Sequence, residues 1–79
     1  MVREVSITSI RELGNTVRRV RKESGLTQQD AAALCDVSLP FLNGLERGKP
    51  TAQIGKALAV CQRFGIEVTL RLPMAPRDA

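Results

Sequence analysis

The fold is decided by residues 26–48, which read LTQQDAAALCDVSLPFLNGLERG. Thr27 predicts the N-cap of a short helix, and the alanines that follow it are the strongest helix formers. Ser38 predicts the N-cap of a second helix, which Gly48 ends. Ala32 is small enough to let the two helices approach each other closely. This stretch therefore predicts two short capped helices that cross and pack against each other.

The connection between these helices is short. Asp36 and Val37 form the break, and Val37 is expected to fill the core beneath the two helices. Pro40 lies early in the second helix, where its missing N–H costs little, and Leu42 and Leu45 are expected to point inward. This order is that of a helix-turn-helix motif, whose second helix enters the major groove of DNA.

A further helix is predicted on each side of this motif. Ser9 is the expected N-cap of the first, with Glu12 completing a capping box, and Gly25 ends it. Residues 50–51 are expected to open a fourth helix, which Gly65 closes. Apolar residues recur at spacings of three and four, which predicts one buried face on each helix. These residues are Ile10, Leu13, Val17 and Val20 in the first helix, and Ile54, Ala57, Leu58, Cys61 and Phe64 in the fourth.

Residues 66–72 follow a different pattern, because apolar and polar side chains alternate there, as in a β-strand. The apolar members are Ile66, Val68, Leu70 and Leu72. A lone strand leaves its backbone N–H and C=O groups unmatched. Pairing with the same strand of a second copy across a two-fold axis resolves this. The alternative is an intrachain partner strand from residues 2–7.

The expected fold is mainly α, with four or five helices and a C-terminal β-strand that pairs across a homodimer. Residues 1–8 are expected to form a flexible arm, residues 9–65 a helix-turn-helix domain, and residues 66–72 the dimerisation strand. Residues 73–79, which contain two prolines, are expected to form a disordered tail.

Composition narrows the function classes. With 79 residues the chain is one domain at most, and 43% apolar residues are too many for a disordered chain. A net charge of +4 favours polyanionic partners such as nucleic acid. Two distant cysteines and no histidine argue against a zinc site. We expect no cofactor, no enzymatic activity and no membrane span or secretion signal, hence a cytoplasmic protein at the bacterial nucleoid.

The motif residues carry a family resemblance. Leu26-Thr27-Gln28, Ala32, Val37-Ser38 and the run Leu45-Glu46-Arg47-Gly48-Lys49 resemble the phage-repressor and Cro-type helix-turn-helix family, with its lambda-repressor-like fold. Within it, RELGNTVRRVRKESGLTQ (residues 11–28) and LERGKPTAQIGKALAV (residues 45–60) resemble HipB-type antitoxins. That resemblance implies strand pairing between subunits, binding to the protein's own operon, and binding to a HipA-like serine/threonine kinase toxin.

The start of the second motif helix is expected to contact DNA bases through Ser38, Leu39, Pro40 and Asn43. The Asn43 amide suits the edge of adenine. Leu39 and Pro40 depart from the family's polar residues, so they either contact thymine methyl groups or indicate sparse base readout. Phe41 is expected to pack rather than to insert into DNA.

Phosphate contacts are expected from Gln28, Arg47, Lys49 and Thr51. A helix N-terminus offers free N–H groups to a phosphate, and the family resemblance implies that Gln28 clamps the DNA backbone. The resemblance also implies a structural salt bridge between Arg21 and Glu46. The basic row Arg18, Arg19 and Lys22 faces flanking phosphates, a protein partner or solvent.

Together these features predict a sequence-specific transcriptional repressor that is also an antitoxin and regulates its own operon. The alternatives are a stand-alone phage-type or restriction-modification repressor, and a protein adaptor that has lost DNA binding. Salt-dependent DNA affinity separates the adaptor from the other two.

Overall fold

The structure is a computed structural model that describes residues 2–75. Within that range the chain forms helices and irregular segments, with no β-strand. The helices are α1 (Ile10–Glu23), α2 (Gln28–Cys35), α3 (Leu39–Glu46) and α4 (Ile54–Arg63). None of them is long and apolar enough to cross a membrane.

Hydroxyl side chains begin the first three helices, which confirms the predicted N-caps. Each hydroxyl oxygen accepts a hydrogen bond from the amide three residues later, and this satisfies one of the free N–H groups of the first turn. The pairs are Ser9 with Glu12 at 3.2 Å, Thr27 with Asp30 at 3.1 Å, and Ser38 with Phe41 at 3.1 Å. The Glu12 carboxylate also accepts from the amide of Thr8 at 3.1 Å.

The turn between α2 and α3 depends on one residue in a left-handed conformation. Asp36 has φ 56°, a region that non-glycine residues seldom enter. The amide of Asp36 donates to the carbonyl of Ala33 at 3.2 Å, and the amide of Val37 donates to Ala32 at 3.0 Å. These bonds end α2 and turn the chain sharply, so that α3 starts three residues later and crosses α2.

The core lies where α3 packs against α1 and α2, and where α2 packs against α4. Its buried apolar residues are Leu13, Val17, Ala31, Ala32, Leu42, Leu45, Ala57, Val60 and Cys61. The backbones of α1 and α3 are in direct contact, because a β-carbon on Gly14 would overlap the carbonyl oxygen of Leu45. At the end of α3, a β-carbon on Gly48 would lie 2.7 Å from the Cα of Arg11.

Of two predictions for the fourth helix, its start is wrong and its buried face is right in part. The helix begins at Ile54 and not at residues 50–51, because the amide of Ala52 donates to the carbonyl of Lys49 and closes a turn with Pro50 in its second position. The predicted buried face is right at Ala57, Cys61 and Phe64, which lie in the core or pack against it. It is wrong at Ile54 and Leu58, which are 63% and 42% exposed, and it omits Val60, which is fully buried.

The segments at the two ends of the described chain are irregular. No backbone hydrogen bond joins residues 2–7 to residues 66–72, so the described chain lacks the alternative intrachain ladder. The amide of Ile66 donates to the carbonyl of Cys61 at 2.8 Å, and Ile66 packs against the core. Beyond it, Val68, Leu70 and Leu72 are exposed. The predicted tail falls partly outside the described residues, as does residue 1 of the predicted arm.

Candidate nucleic-acid interface

The first turn of α3 is presented to solvent. Ser38, Leu39 and Pro40 are exposed, while Leu42 and Leu45 on the opposite face are fully buried. A helix that is anchored on one face and open at its N-terminal end has the arrangement by which a recognition helix enters the major groove. Ser38 uses its oxygen to cap the helix, so its hydroxyl hydrogen remains able to donate to DNA.

An ion pair between Arg21 and Glu46 holds the other end of α3 against α1. Arg21 Nε lies 2.7 Å from Glu46 Oε2, and Arg21 Nη2 lies 2.9 Å from Glu46 Oε1. The side chains are 8% and 1% exposed, so water competes little for this pair. Hydrogen bonding to Glu46, reinforced by its charge, raises the pKa of Arg21 despite the opposing effect of burial.

Arg21 also fixes the connection between α1 and α2. Its Nη1 donates to the backbone carbonyl of Leu26 at 2.8 Å. One guanidinium group therefore ties together α1, the segment before α2, and the C-terminal end of α3. Within residues 2–75 no buried side-chain nitrogen or oxygen atom lacks a hydrogen-bond partner, and those of this polar centre are included.

Gln28 and Asn43 extend the ion pair toward the surface. Gln28 Nε2 donates to Glu46 Oε1 at 3.1 Å, and Asn43 Nδ2 donates to Gln28 Oε1 at 3.2 Å. Both side chains are half-buried. Each amide nitrogen carries a second hydrogen, which leaves one further N–H on each residue for DNA. The expected base-reading Asn43 and phosphate-clamping Gln28 are thus joined to each other.

The expected phosphate-binding residues after α3 lie at the surface. Arg47, Lys49 and Thr51 are exposed, and they follow the end of α3 and the turn before α4. Lys49 and Thr51 border a shallow concavity beside the first turn of α3, which Ser38 and Phe41 also line. Arg47 and Lys49 give the candidate interface a basic rim next to the exposed first turn of α3.

Lys56, which was not predicted from the sequence, lies on the same concavity. Its Nζ is 5.7 Å from the centre of the Phe41 ring, in the range of a cation–π contact. Lys56 lies on α4, and no local pattern links it to α3. Only the packing of α4 brings this cation beside the recognition helix. Phe41 itself is half-buried and packs against the core.

The basic row on α1 stays open to solvent. Arg18, Arg19 and Lys22 are exposed, and none of them forms an ion pair within the described residues. Glu23 at the end of the same helix pairs instead with Arg3, at 2.6 Å. That contact brings residues before α1 back along the helix.

Within residues 2–75 the cysteines and carboxylates do not assemble into a metal site. Cys61 is buried and Cys35 half-buried, both as free thiols, and burial raises the pKa of each. Residues 2–75 contain no group of three or more cysteine, aspartate or glutamate side chains arranged to hold a metal ion.

Comparison with known proteins defines the class of protein. Residues 12–74 match the family model described as a helix-turn-helix domain. The chain belongs to this helix-turn-helix family and is a DNA-binding transcriptional regulator. The chain is thus a transcriptional regulator and not an enzyme, as predicted.

One relative is similar to this chain in sequence, and two solved structures contain chains that are similar to it in fold. The chain is 47% identical over 62 residues to the uncharacterized HTH-type transcriptional regulator y4mF of Sinorhizobium fredii, covering 78% of this chain and 82% of that protein. In fold it is similar to the protein in the HipB-O4 20mer complex, with a TM-score of 0.77, 20% identity, and coverage of 86% and 96% of the two chains. The HipA-HipB-O2-O3 complex contains a chain that matches with a TM-score of 0.77 and 20% identity, covering 86% of this chain and 96% of that one.

Proposed function

We propose that this regulator is a sequence-specific repressor that binds its own operator as a homodimer, and that it is the antitoxin of a HipA-like serine/threonine kinase toxin. The observation that carries the proposal is the exposed first turn of α3, fixed at its other end by the buried Arg21–Glu46 pair. A rigidly held helix loses little conformational freedom when it enters a groove. Such a protein works at the nucleoid in the bacterial cytoplasm.

In the proposed complex, base edges are contacted by Ser38, Leu39, Pro40 and Asn43, and phosphates by Gln28, Arg47, Lys49 and Thr51. The exposure of the first three residues and of the cations after α3 supports this division. Base contacts determine which sequence is chosen, whereas phosphate contacts determine register and strength. Gln28 also lies at the N-terminus of α2, where backbone N–H groups favour a phosphate.

The proposed dimer forms through residues 66–72. Val68, Leu70 and Leu72 are 45%, 85% and 76% exposed in the single chain, a large apolar surface for such a small domain. Pairing these segments across a two-fold axis would bond the backbone groups that face the partner strand and help to cover their apolar side chains. Leu58 and Ile66 border a shallow groove next to Val68, which the second copy would also cover.

The proposed antitoxin role is supported by the likeness in fold to HipB chains, including one in a complex with HipA. A stand-alone repressor has the same DNA-binding surface, so the two functions differ only in the protein partner. Co-expression with the product of a neighbouring kinase-like gene, followed by gel filtration, separates them. A stable complex supports the antitoxin role, and two separate peaks support a stand-alone repressor.

Fluorescence anisotropy with the duplex immediately upstream of the gene tests the repressor proposal. Binding to this duplex should be tight and should weaken steeply with salt, whereas a shuffled duplex of the same composition should bind weakly. Equal weak binding to both duplexes would contradict sequence-specific repression and would favour the adaptor.

The dimer is tested by comparing Val68→Pro with Val68→Ala. Both variants lose the valine side chain, but only proline also lacks the backbone N–H. Neighbouring N–H groups of a strand point to opposite edges, so Thr69→Pro is measured beside Val68→Pro. We expect light scattering to show a monomer for at least one proline variant and a dimer for Val68→Ala. Two dimeric proline variants would rule out pairing through this segment.

A further inference from the structure

A directional chain of hydrogen bonds runs from the buried ion pair to the proposed base-reading residue. Asn43 donates to Gln28 at 3.2 Å, Gln28 donates to Glu46 at 3.1 Å, and Glu46 is paired with Arg21. These residues come from three helices, so tertiary packing alone brings them together. The chain connects a fixed charge in the core with an amide at the surface.

The direction of this chain follows from the chemistry of Glu46. A carboxylate paired with a guanidinium is ionised and only accepts hydrogen bonds. Gln28 must therefore turn its NH₂ group toward Glu46, and this points its carbonyl oxygen at Asn43. Asn43 must in turn direct its own NH₂ group at Gln28. The oxygen and nitrogen ends of both amides are thus distinguished, although they are nearly equal in size.

One N–H group and the carbonyl oxygen of Asn43 remain for a ligand. Adenine presents an acceptor, N7, beside a donor, the N6 amino group, and this pattern complements a donor beside an acceptor. Guanine presents two acceptors, N7 and O6, so the fixed carbonyl oxygen of Asn43 would meet an acceptor. An amide that is free to rotate could instead turn its NH₂ group toward guanine.

We propose that Gln28 is a specificity-determining positioning residue. Together with Glu46 it holds the Asn43 amide in the orientation that pairs with adenine and not with guanine. The proposal rests on the proposed sequence-specific DNA binding and adds the reason for one base preference. Gln28 acts here through Asn43, and its remaining N–H is free to bind a phosphate at the same time.

The base position that Asn43 reads is found by selecting bound duplexes from a randomised library with the wild-type protein and with Asn43→Ala. We expect the wild-type protein to prefer adenine at one position of each half-site, and Asn43→Ala to lose that preference while keeping the others. This step also tests the proposed function, since a wild-type protein without any sequence preference would overturn both proposals.

The positioning role is then tested with Gln28→Met, which keeps a side chain of similar length but makes no amide hydrogen bonds. A bidentate amide contact discriminates between bases by about tenfold or more. We expect Gln28→Met to reduce the adenine-over-guanine ratio at the Asn43 position to about twofold or less, with other preferences retained. Gln29→Met is the matched control, because Gln29 is the exposed neighbour on the same helix, and it should keep the full ratio there.

Modified bases provide a measurement on the wild-type protein that does not depend on a variant's folding. Replacing the adenine with 7-deazaadenine removes the N7 acceptor, and replacing it with purine removes the N6 amino group. Each change should weaken wild-type binding by about tenfold. Neither should weaken binding of Gln28→Met beyond about twofold.

Two outcomes overturn the positioning role while leaving DNA binding intact. One is a Gln28→Met variant that keeps the wild-type adenine preference at the position where Asn43→Ala loses it. The other is wild-type binding that is insensitive to both modified bases. If Gln28→Met binds all sequences more weakly but keeps the adenine-over-guanine ratio, the positioning role is likewise overturned. Gln28 would then contact phosphate only.

Discussion

Gly14 of α1 lies directly against the backbone of Leu45 in α3. A β-carbon at position 14 would overlap the Leu45 carbonyl oxygen and would lie 3.2 Å from the carbonyl carbon of Glu46. The groups it would meet are backbone atoms, which cannot move aside as a side chain can. This contact therefore fixes the distance between α1 and the recognition helix.

The substitution Gly14→Ala should destabilise the fold by about 3 kcal/mol, the upper end of the usual cost of overpacking. Urea unfolding at one fixed protein concentration measures it, since dimerisation makes stability depend on concentration. Gly55→Ala in α4 is the matched control. A β-carbon there meets nothing within 4 Å, so it should stabilise the helix by about 0.5–1 kcal/mol. Equal effects of the two substitutions would show that the contact does not constrain the fold.

Replacing Asp36 with glycine should stabilise the protein by about 0.5–1 kcal/mol. Asp36 adopts φ 56° in the turn before α3, and glycine has no β-carbon to oppose that conformation. Asp30→Gly is the matched control, since Asp30 lies in the first turn of α2. Glycine should destabilise that position by a few tenths to about 1 kcal/mol. A loss of stability in Asp36→Gly would mean that the aspartate side chain contributes more than the backbone strain costs.

Removing one partner of the Arg21–Glu46 pair should cost more stability than replacing both. Arg21→Met alone leaves the buried carboxylate without its cation, at a cost of about 3 kcal/mol. The double variant Arg21→Met, Glu46→Leu removes both charges and should be more stable than Arg21→Met. Urea unfolding of the wild type, both single variants and the double variant completes the cycle. A double variant that is less stable than Arg21→Met would contradict this account of the pair.

The substitution Arg47→Ala should weaken binding to every DNA sequence by a similar factor. Arg47 is exposed just after α3, and loss of one phosphate contact should flatten the slope of log affinity against log salt by about one. Anisotropy titrations on the upstream and shuffled duplexes measure the slope and the affinity ratio together. An altered ratio with an unchanged slope would assign Arg47 to base reading instead.

Acid should weaken the contacts at both ends of α1. Hydrogen bonds from the side chain and backbone of Thr8 hold the pKa of Glu12 below its usual range, and Arg3 does the same for Glu23. Because both pKa values are lowered by folding, the stabilisation is present above the unfolded-state value of about 4.3 and is lost as the pH falls below it. A Glu12→Gln, Glu23→Gln variant should therefore lose less stability between neutral and acid pH. An identical loss in that variant and the wild type would assign the acid sensitivity to other groups.

Local signals along the chain were sufficient to predict the helix-turn-helix unit. A hydroxyl caps an amide only three residues away, as Ser38 does for Phe41, so the signal lies within one turn. Apolar spacing likewise identified Leu13, Val17, Leu42 and Leu45 as core residues. In α4 the apolar spacing was right for Ala57 and Cys61, which are fully buried, but wrong for Ile54 and Leu58, which are exposed.

The candidate interface was predicted in part. The sequence, with its family resemblance, indicated Asn43, Gln28 and Arg47 as separate DNA contacts. It gave no indication that Asn43 and Gln28 are bonded to each other, because 15 residues separate them. Lys56 was missed for the same reason, since only the position of α4 brings it beside Phe41.

The sequence by itself determined where the first three helices begin, how the motif turns and which surface is basic, because capping, helix propensity and charge act within a few residues. The tertiary structure alone decided the contact of Gly14 with Leu45, the burial of Val60 instead of Leu58, and the hydrogen-bond chain from Glu46 to Asn43. Those features depend on the distance and rotation between helices. Packing of the whole core sets both, and no local pattern encodes them.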